Sequence, residues 1–285
     1  MTDAGSGSFE VYPGMELTDE MRASVSIEER FVPGPDGAPE VRVLLYRPKD
    51  SQSRLPLIVS MHGGAFARRP DNFPASDARL AMSGALVVSV DYRIVPDHPF
   101  PCGVEDCYAA LCWAVADLDI DPSRVVVTGA SAGGALAAAV ALMARDRSGP
   151  SIAYQALVIP VLDDRCTTPS MRQFVEAPVF GARQAKAMWE TYLGPADRAN
   201  VSCYAAPARA VSLAGLPAAF IQVNGLDPLR DEGIEYALRL LADGVSVELY
   251  CAPAQHHGLS EDPRPQAQAA RIYQEAIRAA ISVPS

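Results

Sequence analysis

Gly129-Ala130-Ser131-Ala132-Gly133-Gly134 follows a short apolar run, Val125-Val126-Val127-Thr128, and opens a long small-residue segment from Ala135 to Ala144. The pattern reads as strand, sharp turn and helix, with a serine at the turn. A G-x-S-x-G turn forces its serine into a strained backbone position. Glycines flank it because a Cβ there would collide with the neighbouring strand and helix. The hydroxyl is left at a helix N-terminus, where backbone N–H groups and the positive end of the helix dipole favour an alkoxide and the oxyanion it generates. Ser131 therefore reads as an acyl-transfer nucleophile. The motif is expected by chance roughly 0.1 times in a chain of this length, so a glycine-rich turn with an idle serine is the competing reading until other elements decide.

The run Leu57-Ile58-Val59-Ser60-Met61 reads as a buried strand and leads straight into His62-Gly63-Gly64-Ala65-Phe66. H-G-G-x after an early strand is an oxyanion-loop pattern, in which bare glycines let backbone N–H groups point at a substrate oxygen. Gly63 and Gly64 would donate from this loop and the N–H of Ala132 from the other side. His62 reads as a structural histidine bonded within the loop, because in this arrangement the base follows the serine in the chain.

A serine nucleophile needs a base and an orienting acid, in the chain order Ser, Asp or Glu, His. Only His256 and His257 lie beyond Ser131, in a loop after the alternating run Val245-Ser246-Val247-Glu248-Leu249-Tyr250. Neighbouring side chains point in different directions, so one at most meets Ser131, and spacing does not choose between them. Among the carboxylates, Asp227 ends Phe220-Ile221-Gln222-Val223-Asn224-Gly225-Leu226-Asp227, an apolar strand that breaks at Gly225. That places it at the C-terminal edge of a sheet, where catalytic groups of open α/β folds gather. Asp231 and Glu232 sit near the start of the following helix and read as capping charges that favour its dipole.

Taken together, His62-Gly63-Gly64, Asp91-Tyr92-Arg93, Pro96-Asp97-His98-Pro99-Phe100-Pro101, Gly129 to Gly134, Asp227-Pro228-Leu229-Arg230-Asp231-Glu232-Gly233 and His257-Gly258 resemble the hormone-sensitive-lipase-like family of α/β-hydrolases, the bacterial family IV esterases. The likeness runs from about residue 25 to about 280. It implies Ser131 as nucleophile, Asp227 as acid, His257 as base, and Gly63, Gly64 and Ala132 as oxyanion donors. The resemblance also implies hydrolysis of short- to medium-chain acyl esters through an acyl-enzyme, with other acyl bonds (amide, formamide, lactone, carbamate) or a non-catalytic binding role as alternatives. Three positions depart from the family's usual residues: Ala65 stands where a third glycine is common, Ala130 where an acidic residue is common, and Leu259 where phenylalanine is common.

Length and composition agree. A chain of 285 residues that is 49% hydrophobic can bury a large core as one domain. The formal net charge of -10 argues against nucleic acid or an acidic membrane surface as partner, because a phosphate backbone would be repelled. Met1 to Phe9 lacks the basic-then-apolar pattern of an export signal, and the longest apolar segment, Ala132 to Ala144, is too short to span a bilayer. Six cysteines form no C-x-x-C pair and no metal-ligand cluster. A soluble cytoplasmic enzyme acting on a small-molecule ester, with no stable membrane insertion and no metal or organic cofactor, is the expectation.

The apolar periodicity predicts strands near 25–32, 40–47, 56–61, 85–90, 124–128, 155–159, 218–223 and 245–251, and helices near 76–83, 102–117, 132–146, 230–243 and 264–281. Alternation of the two argues an α/β fold: a mostly parallel eight-stranded sheet, covered by helices on both faces, with an antiparallel edge made by the first strands. From about Asp163 to Pro207 there is no strand signal, only a helical pattern over Ala182 to Leu193 carrying Met188, Trp189 and Tyr192. The resemblance makes this insertion, with residues 1 to about 22, a helical cap on a single domain spanning 1–285. For the individual aromatics, packing is the favoured role. The last strand reads as an edge whose unpaired backbone groups could join two copies into a homodimer.

Overall fold

The predicted alternation folds into one sheet. In the computed structural model, which describes residues 11, 14–51, 54–195, 198–258 and 263–282, the strands are β1 (Val25–Val32), β2 (Val41–Pro48), β3 (Leu55–Met61), β4 (Leu86–Asp91), β5 (Ile120–Ala130), β6 (Tyr154–Val158), β7 (Ala218–Asn224) and β8 (Val247–Ala252). Their order is β1-β2-β4-β3-β5-β6-β7-β8. The pairs β1/β2 and β2/β4 are antiparallel and every other pair is parallel. Where a helix covers the return, the next strand can run parallel; where only a short loop intervenes, it must reverse. This is the mixed sheet the sequence predicts.

Among the described residues, eight α-helices lie between and around the strands: α1 (Asp19–Ser24), α2 (Pro74–Ala81), α3 (Cys102–Asp117), α4 (Ala132–Asp146), α5 (Pro169–Gln173), α6 (Ala182–Leu193), α7 (Arg230–Ala242) and α8 (Pro263–Ser282). Side chains of α3, α4 and α7 build the larger core cluster on one face of the sheet. On the other face Ala75, Ala78, Ile277 and Ile281, from α2 and α8, pack with Met21 of α1 against Leu44, Tyr46, Ile58 and Val126. Both faces are thus shielded, which is why β3, β4 and β7 are near-continuous apolar runs rather than alternating ones.

Two registers in the sheet bring remote segments together. Met61 at the end of β3 pairs with Gly129 near the end of β5, so the segment starting at His62 and the turn at Ser131 emerge side by side. Asn224 at the end of β7 pairs with Ala252 at the end of β8, so the loops bearing Asp227 and His257 also emerge together. All four loops leave from the C-terminal edge of the parallel strands.

The element boundaries differ from expectation by a few residues at β5, β8 and α2. Two short helices, α1 and α5, were not predicted: six and five residues are too few to show a helical period. Both are announced instead by their caps, Thr18 and Thr168, whose side chains accept from the N–H of Met21 and Met171. Helix α6 forms as predicted, and its apolar stripe is buried. The ring of Tyr192 stacks on Phe66 at 3.7 Å between centroids, and Trp189 lies tilted at 6.4 Å from the same ring. These aromatics therefore pack the insertion down on the segment after β3.

Candidate active site

Ser131 occupies the turn between β5 and α4 with φ 57° and ψ −117°, a left-handed region that L side chains avoid at a cost of about 1–3 kcal/mol. The surrounding backbone holds it there. Its N–H donates to the carbonyl of Val158 at 2.9 Å, and its own carbonyl accepts from Ala135 and Val161, both at 3.2 Å. The glycines are required by contact. A Cβ on Gly133 would lie 1.9 Å from the carbonyl oxygen of Met61, and one on Gly129 would lie 2.2 Å from that of Gly133.

The acid and base loops are tied to each other before they reach the serine. Gly225 N–H donates to Ala252 O at 2.8 Å and Leu226 N–H to Gln255 O at 2.8 Å. Asn224 Nδ2 donates to the carbonyl of His256, also at 2.8 Å. Against this frame His257 Nδ1 lies 2.7 Å from Asp227 Oδ2, and its Nε2 lies 2.9 Å from Ser131 Oγ. The other oxygen of Asp227 accepts from Leu229 N–H at 2.9 Å, which fixes the carboxylate plane. Ser131, His257 and Asp227 are all buried, Asp227 most deeply. Phe180, from the segment before α6, lays its ring against the His257 imidazole at 4.6 Å.

His256 points elsewhere. It is half-buried, its Nδ1 is buried without a partner, and with residues 173–178 it lines a cavity of about 350 Å³. Of the two adjacent histidines it is His257 that lies in hydrogen-bond reach of Ser131.

The segment after β3 lies directly on this turn. A Cβ built on Gly63 would meet the carbonyl of Ala130 at 2.8 Å and the Cβ of Ser131 at 3.6 Å. Gly64, Ala65 and Phe66 follow with φ of 101°, 56° and 59°, so the glycine common in the family at residue 65 is replaced by an alanine in a glycine-like conformation. Among the described residues, no backbone carbonyl of the turns and loops accepts from the N–H of Gly63, Gly64 or Ala132. Tyr92 supports the loop from beneath: its hydroxyl donates to His62 O at 2.8 Å, and its ring stacks on His62 at 4.2 Å. The Asp91-Tyr92-Arg93 run is otherwise bound up in ion pairs, Asp91 with Arg42 and Arg69, and Arg93 with Asp106.

His62 is the loop histidine that its chain position predicts. Nδ1 lies 3.0 Å from the carbonyl of Gly63, and burial pushes its pKa down to about 4. The sign follows. The folded state disfavours the imidazolium, so stability is full above the unfolded value near 6.5 and falls as pH drops toward 4. Wild type should lose about 3 kcal/mol more than His62→Gln over that window, read from urea unfolding at each pH. Parallel profiles for the two proteins would remove the assignment.

Asp231 and Glu232 reach further than their place in the first turn of a helix predicts. Rather than only capping α7, they bind the segment that follows β6 and the start of α5. Asp231 Oδ2 accepts from Ser170 N–H at 2.7 Å, and Glu232 Oε1 accepts from Leu162 and Asp163 N–H at 2.7 and 3.2 Å. Nothing in the local pattern signals this, because acidic residues in a first helical turn are common for dipole reasons alone.

A family model described as alpha/beta hydrolase fold matches residues 58–261. Carboxylesterase NlhH of Mycobacterium tuberculosis is 40% identical over 251 residues, covering 85% of this chain and 77% of that protein. Esterase LipI of the same organism is 38% identical, covering 85% and 78%. Among solved structures, a bacterial heroin esterase superposes with a TM-score of 0.88 at 43% identity, over 90% of this chain and 85% of that one. On these grounds the chain belongs to the alpha/beta hydrolase fold family, in its hormone-sensitive-lipase-like branch.

Proposed function

We propose that this protein is a serine carboxylic-ester hydrolase that acts on short- to medium-chain acyl esters through an acyl-enzyme. The observation that carries the reading is the unbroken line of hydrogen bonds from Asp227 through His257 to Ser131 Oγ, at 2.7 and 2.9 Å. In this scheme His257 Nε2 takes the hydroxyl proton as Ser131 Oγ attacks the ester carbonyl. Asp227 holds the imidazole in the tautomer with Nδ1 protonated and stabilises the imidazolium that forms. Gly63, Gly64 and Ala132 N–H face the developing oxyanion, each such donor contributing about 3 to 4 kcal/mol in comparable sites. His257 then returns the proton to the leaving alcohol. Water, deprotonated by the same imidazole, cleaves the acyl-enzyme.

Phe180 against the His257 ring supports a further part of the reading: residues 163–207 act with about 1–22 as a cap on a single hydrolase domain, of which residues 1–10, 12–13 and 196–197 lie outside the described residues. The exposed residues of β8 at the sheet edge support pairing of two copies through that strand. The acidic balance of the chain, together with the absence among the described residues of any helix long and apolar enough to cross a membrane, supports a cytoplasmic setting.

The test is a series of p-nitrophenyl esters of increasing acyl length, run beside the matched p-nitroanilides. The ester hydrolase reading expects activity on esters that peaks at short or medium chains and exceeds that on the anilides by several orders of magnitude. Comparable turnover of both classes would favour another acyl bond as the natural target.

A further inference from the structure

Glu232 carries a carboxyl group that the scheme above does not use. It lies in the first turn of α7, just beyond Asp227, and is 1% exposed. Its Oε1 accepts from the N–H groups of Leu162 and Asp163, and its Oε2 is buried without a partner. A carboxyl in such surroundings is costly to keep, and burial pushes its pKa well above the usual carboxylate range.

What it binds explains its place. Leu162 and Asp163 belong to the segment that leaves β6 and touches both the nucleophile and the acid strand. Within that segment Ile159, at φ 41°, donates its N–H to Gln222 O of β7 at 2.7 Å, and Val161 donates to Ser131 O at 3.2 Å, while Ser131 donates back to Val158. Gly233 follows directly, and a Cβ there would lie 2.5 Å from Val223 of β7, so α7 is seated close against the strand that leads to Asp227. The cap insertion also departs from Asp163. One carboxyl therefore ties the start of α7, three residues beyond the turn that bears Asp227, to the segment that grips the backbone of Ser131.

We propose that Glu232 is a positioning residue for the hydrolytic reaction, its carboxyl fixing the start of α7 relative to the backbone of Ser131. The inference rests on the reading of Ser131, His257 and Asp227 as the catalytic residues. Because misplacement of about 1 Å in such a constellation costs on the order of 10²-fold, removal of the clamp acts on the chemical step and leaves substrate binding nearly unchanged.

The experiment measures kcat and KM on p-nitrophenyl acetate for Glu232→Ala, Glu232→Gln and Glu232→Asp. It also measures the rate of inactivation by a p-nitrophenyl alkylphosphonate, in which Ser131 Oγ bonds to phosphorus and p-nitrophenolate leaves. Glu232→Ala should lower kcat and the inactivation rate together by roughly 30- to 300-fold, with KM within about threefold of wild type. Glu232→Gln, whose amide oxygen can accept the same two N–H groups, should stay within about fivefold. If the alanine variant does not fold, the other two decide: aspartate, one methylene short, should lose more than about tenfold while glutamine does not. A kcat within about threefold of wild type for the alanine or aspartate variant, or a glutamine variant as slow as alanine, overturns the assignment. Wild-type enzyme not inactivated through Ser131 would instead overturn the hydrolase reading itself.

Discussion

Ser131→Ala should lower ester turnover by roughly 10⁴- to 10⁶-fold and leave the fold intact. The size of the loss follows from the proposed mechanism, in which Ser131 Oγ carries the acyl group. What remains is the rate supplied by the oxyanion loop and by binding, which in such hydrolases is about 10³- to 10⁴-fold over water. The fold should survive because the strained conformation of residue 131 is imposed by backbone bonds to Val158, Ala135 and Val161, and alanine meets the same backbone constraint as serine. The hydroxyl contributes one hydrogen bond to His257, so the stability change should stay within about 1–2 kcal/mol. Turnover on p-nitrophenyl acetate, with circular dichroism and a thermal melt on the same sample, measures both parts. A folded Ser131→Ala protein that hydrolysed esters at the wild-type rate would reject Ser131 as nucleophile.

The adjacent histidines should separate almost completely. His257→Ala removes the proposed base and should lower turnover by roughly 10⁴-fold or more. His256→Ala should retain most activity, because the contact His256 makes to the acid loop is through its backbone carbonyl, which accepts from Asn224 Nδ2 and survives the substitution. Its side chain lines a cavity beside residues 173–178, and its Nδ1 has no partner to lose. Parallel assays of the two variants at one pH suffice. An inactive His256→Ala beside an active His257→Ala would reverse the assignment.

Much of this arrangement is legible in the chain because each part is a local event. A strand running into G-x-S-x-G, another into H-G-G and a third breaking before Asp227 are short patterns in which residue type and backbone geometry are bound together. Sheet registers then do the assembly, Met61 beside Gly129 and Asn224 beside Ala252. The choice between His256 and His257 is different. It depends on which side of a loop faces the sheet edge, which spacing does not encode, and it came from the family likeness alone. Glu232 was illegible for a related reason: its partners Leu162 and Asp163 are distant in sequence, and a contact between remote segments leaves no period to read. Phe180 and the buried stripe of α6 show the converse. An apolar pattern in an insertion says that a face is covered, and the structure adds by what: Phe66 for Tyr192, and the His257 imidazole for Phe180.

The nucleophile is identified by mass spectrometry of the protein after reaction with the p-nitrophenyl alkylphosphonate. A single adduct is expected on Ser131, absent in Ser131→Ala and formed far more slowly in His257→Ala. Loss of ester hydrolysis with the adduct on another residue, or an adduct on Ser131 that formed as fast without the imidazole of His257, would contradict it.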